Sequence, residues 1–222
     1  MDERANPAPR LERRPDGELV IVTGASGSGK TVYTMRAAAR AARLLVWDSH
    51  LQWWGAGCEP VRTIPELARA CRTRESRQLA YIGPVNRDTF EKFCIVARCW
   101  LMLARATVVI EELADVVPPG KAPPAWGELV RWNRKLGGTI YALTQRPQES
   151  DKTSLANAAR IVCHAVNGRP DAVYMAPWLG VEPADILALR VDRLEHIERR
   201  RGEAPRKGAT PRPSRRASAE HS

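Results

Sequence analysis

Apolar residues in this chain fall into short, nearly unbroken runs separated by longer stretches of mixed polarity. The runs ELVIVT (18–23), RLLVWD (43–48), QLAYIG (78–83), ATVVIE (106–111), GTIYALT (138–144) and RIVCHAV (160–166) have the length and β-branched content of strands. Between them, Lys30 to Ala42, Ile64 to Cys71, Arg87 to Ala104, Ala125 to Leu136 and parts of 170–197 carry helical patterns. That alternation predicts an α/β fold, with a mostly parallel sheet covered by helices on both faces. The runs around Val20 and Val109 are apolar at almost every position, as expected of central strands buried on both sides. Thr63 and Glu66 have capping-box spacing with Pro65 in the first turn, which predicts a helix start. DVVPPGKAPPA (115–125) reads as a proline-stiffened loop.

The two ends read differently. The first 16 residues and the stretch from 199 to 222 are rich in Pro, Arg, Ser and Ala and poor in large apolar groups. Such segments cannot offset their own ordering entropy. We therefore expect a mobile segment at 1–16, one domain at 17–198, and a disordered basic tail at 199–222. The tail holds eight Lys and Arg against Glu203 and Glu220, so it carries +6 of the +10 net charge. It is suited to sequence-independent contact with nucleic acid or with a negatively charged membrane surface, or to keeping the chain soluble. The most apolar stretch, CIVARCWLMLARATVVI (94–110), is cut by Arg98 and Arg105 and is no membrane span. With no apolar signal-peptide core in the opening residues, an intracellular chain is expected. Five cysteines without a CxxC pair predict buried free thiols, and the four histidines lack metal-ligand spacing.

Chemistry enters at GASGSGKT, residues 24–31. Gly24, Gly29, Lys30 and Thr31 fit G-x-x-x-x-G-K-[ST], the phosphate loop, at the point where the first strand passes into the first helix. Glycines let consecutive N–H groups of Gly24, Ala25, Ser26, Gly27, Ser28 and Gly29 curl around phosphate oxygens, Lys30 reaches the terminal phosphates, and the Thr31 hydroxyl is placed for Mg²⁺. The positive end of the following helix faces the same anions. ATP and Mg²⁺ are the ligands this predicts.

Two later strand tips add to the picture. ATVVIEEL (106–113) ends a buried strand in adjacent carboxylates, of which Glu111 is placed for Mg²⁺ and Glu112 to polarise an attacking water. A solvated strand-end pair is the alternative. Thr144 and Gln145 stand at the exit of GTIYALT, where Gln145 is placed to reach a γ-phosphate or the lytic water. Trp53 and Trp54, in HLQWWGAG (50–57), fall in a loop after the second strand, either packed on the core or facing a partner.

Together GASGSGKT, VVIEE and RWNRKLGGTIYALTQRP resemble the FtsK/HerA superfamily of DNA-translocating ATPases. Over about residues 17–195 the chain looks like the compact genome-packaging ATPases of tailless, membrane-containing (tectivirus-type) viruses. The specific element is R-x-x-G followed seven residues later by T-Q-R-P: Arg134, Gly137, then Thr144, Gln145, Arg146 and Pro147. One departure is that the metal-side acid is usually Asp, and here it is Glu111. The resemblance implies an additional-strand, RecA-like P-loop NTPase fold. It further implies an ATP-driven motor that moves double-stranded DNA into a preformed capsid. The partners implied are a homo-oligomeric ring, commonly of six subunits, and capsid vertex or portal proteins, in the host cytoplasm during assembly and in the virion. An arginine from the adjacent subunit would complete each site, with Arg134 first in line and Arg146 and Arg160 behind it. Asp48 matches a frequent family acid, although a turn-forming role suits it equally. Two other readings stand beside this one: a secretion or filamentous-phage assembly ATPase of the zonula occludens toxin type, and a small-molecule kinase.

Overall fold

The computed structural model describes residues 16–212 apart from 121, 150 and 151. Most of the expected mobile segment at 1–16, and the last ten residues of the chain, lie outside this range. In chain order the elements are β1 (Glu18–Thr23), α1 (Lys30–Ala38), β2 (Leu44–Trp47), α2 (Gln52–Gly55), β3 (Glu59–Val61), α3 (Ile64–Ala70), β4 (Gln78–Tyr81), α4 (Arg87–Leu103), β5 (Thr107–Ile110), α5 (Pro124–Leu136), β6 (Thr139–Thr144), α6 (Lys152–Asn157), β7 (Arg160–His164), α7 (Arg169–Leu179), α8 (Pro183–Leu187), β8 (Glu195–Arg200) and β9 (Arg206–Ala209).

Nine strands form one sheet in the order β3-β4-β2-β5-β6-β1-β7-β8-β9. The first seven in that order are parallel, and β8 and β9 close the far side antiparallel. The uniform apolarity of β1 has its reason here. Leu19 and Ile21 join a core with Trp47, Phe90, Phe93 and Trp126, while Val20 and Val22 join a second core with Val46, Tyr141 and Leu143. Every residue of β2 is buried for the same reason. Helix starts follow their capping residues. The Thr63 side chain accepts from Glu66 N–H and Glu66 accepts from Thr63 N–H, closing the predicted capping box. Asn86 accepts from Thr89 N–H at the start of the 17-residue α4.

The sheet continues beyond the expected domain boundary at 198. β8 runs to Arg200 and turns into β9, so residues 199–209 are the second half of a paired hairpin rather than a disordered tail. The hairpin rests on the β8–β9 ladder and on Ile197, which joins the core, and exposed ion pairs accompany it that a one-dimensional charge count overlooks. Lys207 lies 3.1 Å from Glu195, Arg206 3.5 Å from Glu203, and Arg200 3.4 Å from Glu18. Several of the basic residues counted as tail are thus neutralised within the fold. One thiol also departs from expectation: Cys99 is exposed, and the other four cysteines are buried. Among the described residues, no helix is long and apolar enough to cross a membrane.

Candidate active site

Parallel strands bring their carboxyl ends to one edge, and the three stretches that carry candidate chemistry arrive there together. β1 and β6 pair in register from Glu18↔Thr139 to Thr23↔Thr144. β5 pairs Ile110 with Ala142, so the next two residues, Glu111 and Glu112, run level with the end of β6.

The phosphate loop leaves β1 at Gly24, whose φ of 143° and crowding allow no side chain. A β-carbon there would lie 2.8 Å from both the His164 Cβ and the Ser28 Oγ. Ala25 N–H donates to Ala165 O at 2.8 Å, which ties the loop to the end of β7. Gly29, at φ 109°, then caps α1, and a β-carbon on it would meet Leu194 Cδ2 at 3.0 Å. Lys30 is buried, and its Nζ donates to the carbonyls of Gly24 and Ala25 at 2.7 and 2.9 Å, folded over the loop. Burial holds its amine below the ordinary lysine value, opposed by the nearby charges of Glu112 and Glu111. The Ser28 Oγ is buried without a hydrogen-bond partner among the described residues. A loop with glycines in the left-handed region, a lysine over its mouth and an unpartnered hydroxyl fits a phosphate chain.

Glu111 is 4% exposed. Its N–H donates to Trp47 O at 3.1 Å, extending the β2–β5 ladder by one residue. Its Oε1 accepts from the indole Nε1 of Trp53 at 2.8 Å, and its Oε2 lies 3.9 Å from His50 Nδ1. Burial pushes the carboxyl up, Trp53 draws it down, Asp48 adds to the rise, and His50 and a hydrogen bond from Thr31 oppose it. The Thr31 hydroxyl, one of the two groups expected to serve a metal, is thus among those acting on the carboxyl of the other, Glu111. They offer a hydroxyl and a carboxylate, an oxygen set suited to a hard divalent cation. Among the described residues no cluster of three His, Cys, Asp or Glu could hold a metal unaided.

Glu112 stands at φ 45°, ψ 73°, in the left-handed region although it carries a side chain. Its Oε1 accepts from Gln145 N–H at 3.0 Å and from the Thr144 hydroxyl at 3.3 Å. Glu112 and Gln145, both expected at the site, are thus joined directly. The Asp48 carboxylate accepts three N–H groups, from Gln52 at 2.9 Å, Trp53 at 3.0 Å and Trp54 at 2.9 Å. It thereby forms the turn, one of the two roles expected of it.

The arginines divide. Arg134 lies in the last turn of α5, its carbonyl accepting from Gly17 N–H at the opposite end of β1 from the loop. Its side chain is exposed and pairs with Asp16 at 3.4 Å, so within one chain it does not join the other site residues. Arg160 is held by Glu18 at 3.0 Å and Glu198 at 3.6 Å, also at that far end. Arg146 follows Gln145 at the same edge as the phosphate loop and pairs with Glu149 at 2.8 Å. Trp53 was open between core packing and a partner. It is buried and bonded to Glu111, whereas Trp54 beside it is 43% exposed. No spacing rule marks Trp53, because its partner lies 58 residues away.

No protein-family model matches the chain. Protein P9 of Pseudoalteromonas phage PM2 is 32% identical over 182 residues, 81% of each chain. Among solved structures, the genome packaging NTPase B204 from Sulfolobus turreted icosahedral virus 2, in complex with AMPPCP, superimposes with a TM-score of 0.74 at 15% identity, covering 89% of this chain and 99% of that one. The DNA-packaging ATPase B204 from Sulfolobus turreted icosahedral virus gives a TM-score of 0.69 at 16% identity, over 90% and 100%. The fold is that of a P-loop NTPase. With a relative this similar over four-fifths of both sequences, the chain belongs to the family of phage PM2 protein P9, and its fold is that of the viral genome packaging NTPase B204.

Proposed function

We propose that this ATPase is a motor that draws double-stranded DNA into a preformed capsid. The observation that carries the reading is the meeting, at one sheet edge, of a phosphate loop with Lys30 folded over it, the buried Glu111 carboxylate, and a Glu112 carboxylate bonded to Gln145. Lys30 leaves its two loop carbonyls to hold the terminal phosphates, and the loop N–H groups from Gly24 to Gly29 take the remaining oxygens. Thr31 and Glu111 would hold Mg²⁺, which would supply positive charge near the phosphate oxygens. Glu112 polarises the attacking water and receives its proton, a role typically worth about 10² to 10⁴ in rate. Gln145, whose backbone is tied to that same carboxylate, orients the water or senses the γ-phosphate. Arg134, remote from its own chain's loop, is offered to the nucleotide of an adjacent subunit in a ring, with Arg146 the next choice.

Basic surface groups contact the DNA backbone without reading sequence, so binding weakens as salt rises. Capsid vertex or portal proteins are the assembly partners, and contact with a viral membrane surface would fall to the basic residues of 199–222. The working locations are the host cytoplasm during assembly and the packaging vertex of the virion.

The test is ATP turnover against duplex DNA concentration, with sizing of the complex. Turnover should rise severalfold with DNA, and Lys30→Ala and Glu112→Gln should each lower it by about 100-fold or more. Absence of hydrolysis with and without DNA, across Mg²⁺ and salt, would overturn the reading.

A further inference from the structure

The strand-tip acid on the metal side is a glutamate, one methylene longer than the aspartate usual at that position. A longer carboxylate has one more rotatable bond, so something must hold it if it is to meet a cation in a single orientation. The structure contains such a holder. The Trp53 indole N–H reaches Glu111 Oε1 at 2.8 Å, at the short end of N–H···O distances, where a charged acceptor strengthens the bond. Trp53 is 3% exposed. It sits in α2, only four residues long, preceded by Leu51 at φ 59°. So short a helix in so irregular a turn has little stability of its own. What fixes it is Asp48, 1% exposed, whose two oxygens collect the three N–H groups of Gln52, Trp53 and Trp54. Asp48 is itself fastened to the sheet through its N–H and Tyr81 O at 3.0 Å.

We infer that Trp53 is a positioning residue for the divalent cation. Its indole pins Glu111 Oε1, leaving Oε2 for the ion beside Thr31, and Asp48 holds the indole in place. The arrangement compensates for the extra methylene: an indole anchored on β2 and a glutamate on β5 together place the carboxylate. Partners that orient a ligating group commonly change metal affinity by about 10- to 100-fold when removed. This inference rests on the proposed metal role of Thr31 and Glu111.

The test uses the full chain and a fluorescently labelled ATP analogue, with binding read by anisotropy in excess EDTA and across a Mg²⁺ titration. Trp53→Phe retains an aromatic ring, smaller than the indole, and removes the donor. Its metal-free affinity should stay within about twofold of the parent, while half-saturating Mg²⁺ rises about tenfold or more. Glu111→Asp should raise the Mg²⁺ requirement by a similar factor although aspartate is the usual residue, because the shorter side chain no longer reaches the indole. Adding Trp53→Phe to Glu111→Asp should then change little, since the coupling is already lost. The inference is overturned if Trp53→Phe responds to Mg²⁺ like the parent, or if it loses metal-free and metal-dependent affinity alike. It is also overturned if Glu111→Asp equals or surpasses the parent, an outcome that decides the matter even should Trp53→Phe not fold. A parent chain that binds the analogue with no Mg²⁺ response would remove the metal reading itself, and this inference with it.

Discussion

The left-handed backbone of Glu112 costs a residue with a β-carbon about 1–2 kcal/mol. Strain of this kind persists where surrounding bonds over-determine it, here those from Gln145 N–H and the Thr144 hydroxyl. Glu112→Gln keeps an oxygen for both donors. Its denaturation midpoint should therefore stay near the parent's while turnover falls by about 10² or more, a separation that calorimetry and an ATPase assay on one sample can check. Gly29→Ala should behave differently, because the added methyl meets Leu194 at φ 109°. It should lower both stability, by about 1–3 kcal/mol, and nucleotide affinity, as measured by chemical denaturation and analogue binding. At this scale the phosphate loop was legible in the sequence because phosphate geometry dictates residue types at fixed short spacing. Glu111, Glu112 and Gln145 were placed by counting to strand tips, which works when parallel strands end at one edge. The Trp53 indole was not legible, since nothing local to HLQWWGAG specifies a carboxylate on another strand.

Among elements, the six apolar runs all became strands, because a strand buried on both faces leaves a continuous hydrophobic signature. The short β3 and the β8–β9 hairpin escaped, one for being three residues long and the other for looking like a charged tail. Edge hairpins need little apolar content when ion pairs and one covered face suffice. The hairpin nevertheless has a tight point. A β-carbon on Gly208 would lie 2.8 Å from His196 Nε2, and the His196 ring is itself boxed in by Tyr33 at 5.1 Å and His164 at 5.2 Å between centroids. Gly208→Ala should thus destabilise the fold by about 1–3 kcal/mol in urea denaturation, where an alanine at an open strand position would be almost neutral.

For the molecule as a whole, acid sensitivity should concentrate beneath the phosphate loop. His164 is fully buried at the end of β7, and burial, with His196 and Lys30 adding to it, holds its pKa down to about 3. Above the unfolded value of about 6.5 both states are neutral and the group has no effect on stability. Between about 6.5 and 3 the unfolded chain takes up a proton that the folded chain refuses, so stability falls as pH falls. The melting temperature should drop across that window, and His164→Leu should flatten much of the drop.

The order of the strands has one more consequence. The outermost strand on one side, β3, contains Pro60, which has no N–H to give, and the outermost on the other, β9, opens with Arg206 and Lys207. Both are devices that discourage backbone pairing between molecules. Copies of this chain therefore have no ready seam along which to knit their sheets. Among the described residues, any ring these copies form would be held by helix flanks and protruding turns rather than by a shared ladder of peptide hydrogen bonds.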